Sequence, residues 1–92
     1  MVSSSKKSKK SVETSDLKSE GRFLILHNDN INTFNYVIDT LCDVCNHNEV
    51  QAEQCAMITH YKGKCDIKKG TLDELKVLKE LLLERKLSVT ID

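Results

Sequence analysis

From residue 22 onward the chain switches between short apolar runs and helical apolar spacing, and the switches divide it into six elements. Phe23-Leu24-Ile25-Leu26, bracketed by Arg22 and His27, are four consecutive apolar residues. Such a run predicts a strand buried on both faces, hence central in a sheet. Asn28, Asp29 and Asn30 end it with residues that favour turns and caps, and Asn32 or Thr33 is placed to cap the next element. Apolar or aromatic residues at 34, 37, 38, 41, 42, 44 and 45 keep an i, i+3, i+4, i+7 rhythm, which predicts a helix from Phe34 to about Cys45. Asn46-His47-Asn48 breaks it. A weaker stripe (Val50, Ala52, Cys55, Ala56, Ile58) predicts a second helix from about Glu49 to His60, with Gly63 as its stop signal.

Lys64 to Lys69 alternates in part, with Cys65 and Ile67 on one face. That predicts a short edge strand whose lysines discourage further pairing. After a turn at Gly70, Thr71 and Glu74 have the spacing of a capping box, and Leu72, Leu75, Leu78, Leu81 and Leu82 predict a third helix to about Glu84. Leu87 to Ile91 alternates strictly, the signature of a half-buried strand. The order is βααβαβ. A single helix joins the second strand to the third, so those two run parallel, and the first strand fits antiparallel between them. The expected fold class is α+β: a three-stranded antiparallel sheet with three helices packed on one face.

The first twenty residues break this pattern. They are rich in Ser and hold five lysines (6, 7, 9, 10 and 18) against Glu13, Asp16 and Glu20, with few aliphatic side chains. A stretch of that kind buries too little apolar surface to offset the entropy of ordering it. The expected organisation is a disordered N-terminal arm over 1–21 and one domain over 22–92. A domain of that size is near the lower limit for an unassisted core, which favours a binding module over an enzyme with a deep catalytic cleft.

Charge narrows the partners. Lys plus Arg number 14 and Asp plus Glu 14, a formal net charge of zero, without the basic excess of a small nucleic-acid binder. The longest apolar runs, Phe23–Leu26 and Leu81–Leu83, fall far short of the ~20 residues of a membrane span. Met1 to Lys10 has no apolar stretch behind its lysines, so no secretory leader is expected and the expected location is the cytoplasm.

Cys42 and Cys45 form a C-x-x-C pair with His47 close by, a spacing used by redox and zinc sites. Both sit late in an apolar helical stripe, where cysteine packs as a small hydrophobe, whereas a thioredoxin-type pair opens a helix. A small zinc or redox protein using Cys42, Cys45, His47 and Cys55 or Cys65 is the alternative reading. A serine hydrolase and a Gly-rich phosphate loop find no support. His60 is placed to close the second helix, and a helix end near the end of the first strand would bring it beside Asn28-Asp29-Asn30.

His27-Asn28-Asp29-Asn30, Thr33-Phe34 and Tyr36-Val37-Ile38 opening a helix, Glu53-Gln54, and His60-Tyr61-Lys62-Gly63-Lys64 together resemble the ClpS family, adaptors of the ATP-dependent Clp protease. The resemblance extends over about 22–92, and Leu87–Ile91 is similar to the family's final strand. It implies a βααβαβ fold, no catalytic activity and no cofactor. It also implies capture of N-degrons, proteins whose first residue is Leu, Phe, Tyr or Trp, for delivery to the N-terminal domain of a Clp-family AAA+ unfoldase. A monomer is the default expectation, and charge and apolar run length point to neither nucleic acid nor membrane as a partner.

By position in the motif, the resemblance implies that Asn28, Asp29, Asn30 and His60 bind the ligand's α-amino group. Ile31, Asn32, Phe34, Val37, Ala56, Thr59 and Leu87 would line or rim the side-chain pocket, and Asp73 and Lys76 would lie in the unfoldase-docking region. The arm would assist hand-off. Asn30 stands where the family usually has a second aspartate, and Phe34 where the gate is usually methionine. Ala56 replaces a larger residue, often methionine, Thr33 replaces a proline, and the segment between the third helix and the last strand is short. A domain that keeps the fold without the amine pocket is the third reading.

Overall fold

The computed structural model describes residues 21–92. The arm expected over 1–21 lies, Gly21 excepted, outside them. The chain runs β1 (Arg22–His27), α1 (Phe34–Cys45), α2 (Glu49–Lys62), β2 (Lys64–Gly70), α3 (Leu72–Glu84) and β3 (Ser88–Ile91). The sheet order is β2-β1-β3, and β1 is antiparallel to both neighbours. This is the α+β architecture that the alternation of patterns predicts. Leu24, Ile25 and Leu26 are all buried, as a central strand requires.

Local chemistry sets the helix ends. Thr33 caps α1, accepting the Tyr36 N–H at 3.1 Å, and Asn46 ends it in the left-handed region at φ 58. Asn48 caps α2 by accepting from Gln51 at 2.8 Å. Gly63, at φ 93, returns its N–H to Thr59 O at 2.9 Å. Residues up to Lys62 are therefore helical, two beyond the expected end at His60. In α3 both halves of the capping box form: Glu74 N–H to Thr71 Oγ1 at 3.2 Å and Thr71 N–H to Glu74 Oε1 at 3.1 Å.

One continuous core joins the helices to the sheet, with Leu41, Cys45, Ala52, Cys55, Leu75 and Leu82 packed on Leu24, Leu26, Ile67 and Val89. Leu75 and Leu82 are fully buried, but Leu81 is 43% exposed. The inward stripe of α3 thus runs through 75, 78 and 82, and Leu81 faces outward although its spacing fits the predicted stripe. The β1–β2 register shifts between Leu24 and Ile25, which pair with Lys68 and Asp66 and leave Ile67 as the extra residue of a bulge. Ile67 remains buried, and its carbonyl accepts the Nε2–H of buried His47 at 2.7 Å. His47 is therefore a structural tie between the α1–α2 connection and the bulge. Among the described residues no three His, Cys, Asp or Glu side chains gather as a metal-ligand group, and no helix is long and apolar enough to cross a membrane.

Candidate functional site

A cavity of about 680 Å³ opens where the end of β1, the turn after it, the start of α1, the C-terminal half of α2 and the entry to β3 converge. Its lining carries Asn28, Asp29, Asn30, Asn32, Phe34, Val37, Ala56, Thr59, His60 and Leu87. These candidates are scattered along the sequence, and the fold assembles them into one hollow. The polar members come from the β1–α1 turn and the end of α2. Val37, Ala56 and Leu87 supply apolar wall.

Two hydrogen-bonded features explain the convergence. Asn28 N–H donates to Gly63 O at 2.9 Å, so the residue that leaves β1 is pinned to the residue that ends α2, one turn beyond His60. The turn itself is closed by Asp29. Its Oδ1 accepts from the backbone N–H groups of Ile31 and Asn32, and its Oδ2 accepts from Asn32 Nδ2, all three at 2.9 Å. Burial by itself would raise the Asp29 pKa. The bonds from the Asn32 backbone and side chain and from the Ile31 backbone outweigh it and hold the carboxyl below its ordinary value. Asp29 thus stays ionised in the cavity lining while most of its lone pairs organise the turn.

Ile31 departs from expectation. It does not line the cavity, and its side chain is 85% exposed. Its N–H donates to Asp29 Oδ1 while its side chain stands in solvent. Thr59 is buried, with its hydroxyl donating back to Cys55 O at 2.8 Å, so it contributes its methyl side and bulk rather than a free donor. Phe34 is 41% exposed at the first position of α1, a ring standing half in solvent beside the cavity. Asp73 and Lys76 are exposed on the first turns of α3 and lie apart from the lining.

Leu26, His27, Met57 and Tyr61 also contribute to the wall. Helical spacing carried a signal for two of them, since Met57 is three residues before His60 and four before Tyr61, on the same face. The Tyr61 ring meets the His60 imidazole edge-on, with centroids 5.0 Å apart and planes at 78°. His27 is fastened across the sheet, its Nε2 lying 2.7 Å from Thr90 Oγ1.

The cysteines lie elsewhere. Cys45 and Cys55 are buried in the core and Cys42 and Cys65 are half-buried; all four are free thiols. Burial pushes the Cys45 thiol up to about 11 and Cys65 up to about 12, the latter helped by Cys55 beside it. Burial, with Glu49, Asp39 and Asp43, raises Cys42 as well. These environments oppose the thiolate that metal binding or exchange chemistry needs.

The sequence model of the family described as "ATP-dependent Clp protease adaptor protein ClpS" matches residues 19–90. No curated protein sequence matches the chain. Among solved structures, Agrobacterium tumefaciens ClpS2 bound to L-phenylalaninamide is similar at a TM-score of 0.74 and 20% identity, covering 80% of this chain and 96% of that one; at that identity the likeness is one of fold.

Proposed function

The chain belongs to the ClpS family of Clp protease adaptor proteins, and from that premise we propose that its cavity captures the free N-terminus of proteins beginning with Leu, Phe, Tyr or Trp and presents them to a Clp unfoldase. One observation carries the reading: Asn28, Asp29, Asn30 and His60 meet Val37, Ala56 and Leu87 in a single hollow. An N-terminal residue bears an ammonium and a side chain on the same carbon. A site for it needs acceptors at one end and apolar wall at the other.

The ammonium has three N–H groups and a full charge, and burying it without partners is costly. The Asn28 carbonyl, the Asn30 carbonyl and the bare nitrogen of a neutral His60 supply acceptors, and the Asp29 carboxylate supplies charge. Charge-assisted bonds of this kind contribute about 1.5–3 kcal/mol each. Burying a Leu or Phe side chain adds about 1.5–3 kcal/mol. Val or Ile carries its branch beside the backbone, and in this reading a tight gate at Phe34 rejects it. In this reading the adaptor performs no chemistry and needs no cofactor, and it works as a monomer in the cytoplasm. It hands its cargo to the N-terminal domain of a Clp-family AAA+ unfoldase through the α3 surface that includes Asp73 and Lys76.

The test is a fluorescence anisotropy titration with a peptide beginning with Phe and its N-acetylated twin. Acetylation removes the charge and two donors, so the free peptide binds and the acetylated one does not; equal binding of the two would end the amine-capture reading. His60→Ala and Asn28→Ala each weaken binding of the free peptide at least tenfold.

A further inference from the structure

The β1–α1 turn is fastened by one side chain to the segment that enters the cavity wall at Leu87. Asn32 Nδ2 donates to Asp29 Oδ2 and to the Lys86 carbonyl, each at 2.9 Å. A carboxamide nitrogen has two hydrogens, and these two bonds use both. The carboxylate that shapes the turn and the carbonyl just before Leu87 therefore share a single NH2 group.

The segment so held is one that needs holding. Lys86 sits at φ 72, in the left-handed region that a lysine occupies only at a cost. One residue earlier, the Arg85 carbonyl accepts the Tyr36 hydroxyl at 2.8 Å. Two side chains from the turn and α1 thus grip the two carbonyls that precede Leu87. Leu87 then enters the cavity wall and the core, 2% exposed, with its N–H on Leu82 O at 3.1 Å.

We propose that Asn32 is a positioning residue that sets the separation between the acceptors of the turn and the apolar wall at Leu87, coupling amine capture to side-chain fit. The proposal rests on the amine-capture reading of the cavity. A ligand fixes the distance between its ammonium and the tip of its side chain, so both ends are satisfied together only if the two walls of the site keep a fixed spacing. Asn32 supplies that spacing without contributing a donor of its own to the ligand, because both N–H groups are engaged.

Amide hydrogen exchange on the ligand-free protein reads the tie directly. Asn32→Ala accelerates exchange at Ile31, which reports the turn, and at Leu87, which reports the wall, each by about tenfold, and leaves Ala52 in α2 unchanged. Asn32→Ser is the companion variant should the alanine variant not fold. Its short hydroxyl bonds Asp29 but does not reach Lys86, so Leu87 accelerates and Ile31 does not. Unchanged exchange at Leu87 in both variants overturns the tie, whether or not a ligand binds.

Calorimetry with phenylalaninamide and valinamide reads the positioning role. Asn32→Ala lowers phenylalaninamide affinity about tenfold and narrows its preference over valinamide. Wild-type affinity and preference in a variant with accelerated Leu87 exchange would overturn positioning. Failure of wild-type protein to bind phenylalaninamide would overturn amine capture and positioning together, and the exchange result would still decide whether the tie exists.

Discussion

The backbone N–H of Asn28 donates to the carbonyl of Gly63 at 2.9 Å, and this bond joins the end of β1 to the end of α2. It brings together residues far apart in sequence and puts the acceptors of the turn in the same cavity lining as His60. Gly63 can play its part because it is left-handed at φ 93, and among the described residues, its chain neighbours aside, no heavy atom lies within 4 Å of the place a Cβ would occupy. The cost of a side chain there is backbone strain, not a clash. Gly63→Ala is expected to lose about 1 kcal/mol, a fall of roughly 4–8 °C in Tm for a domain of this size, measured by circular dichroism. Gly63→Asn loses less, because Asn tolerates the left-handed region. Binding of a Phe-first peptide falls with the alanine change, since a shifted Gly63 carbonyl releases Asn28.

The Asp29 turn carries an acid dependence whose sign is set by its depressed pKa. A carboxyl held below its ordinary value of 3.8 contributes stability that is present above the unfolded value and lost as pH falls through the folded one. Asp29→Asn mimics the protonated state and places an NH2 against the donating Asn32 Nδ2. The Tm gap between wild type and Asp29→Asn is expected to stay constant from pH 7 to pH 5, to start narrowing below about pH 4, and to close as pH falls through the depressed value. A gap that does not narrow at all as pH falls below 4 would contradict the role given to the carboxylate.

Much of this is legible in the sequence, because the informative signals are local. The run Phe23–Leu26 marks the central strand, Thr71 and Glu74 mark the start of α3, and Gly63 marks the end of α2. The cavity is legible only through a combination of motifs, since Asn28 and His60 belong to separate elements and the fold alone brings them together. The features that stay hidden depend on distant partners. Lys86 adopts φ 72 with no Gly or Asn to announce it, because Asn32 and Tyr36 hold the carbonyls around it. Ile67 is a bulge because His47 satisfies its carbonyl. Ile31 stands in solvent while Asp29 accepts its N–H. Leu81 fits the helical stripe, and its exposure is settled by which neighbours α3 meets.

His47 stands 7% exposed between α1 and α2, its Nε2 on Ile67 O and its Nδ1 without a partner among the described residues. Because a carbonyl only accepts, the proton is on Nε2. His47→Ala leaves a buried carbonyl unsatisfied at the bulge and a void beside Cys45, and is expected to cost about 2–4 kcal/mol by chemical denaturation. His47→Gln keeps a side-chain N–H and recovers part of that loss. The residue is remote from the cavity, so the folded fraction of either variant should bind a Phe-first peptide with wild-type affinity. A selective loss of binding would link the bulge to the site.

The thiols separate the adaptor reading from the zinc or redox alternative. A thiol pushed up to about 11 at Cys45, or about 12 at Cys65, is about one part in a thousand thiolate or less at pH 8, and the thiolate is both the nucleophile and the metal ligand. Core packing also closes the approach, since Cys45 is 3% exposed. Alkylation by iodoacetamide at pH 8 is therefore expected to be slow at Cys45 and Cys65 in native protein and fast at every cysteine in denaturant. The same environment predicts that stoichiometric Zn²⁺ leaves the Tm unchanged, because a metal held by the folded state alone would raise it by mass action. A rise of several degrees, abolished by Cys42→Ser or His47→Gln, would revive the metal reading, and it would do so without touching the acceptors around Asn28.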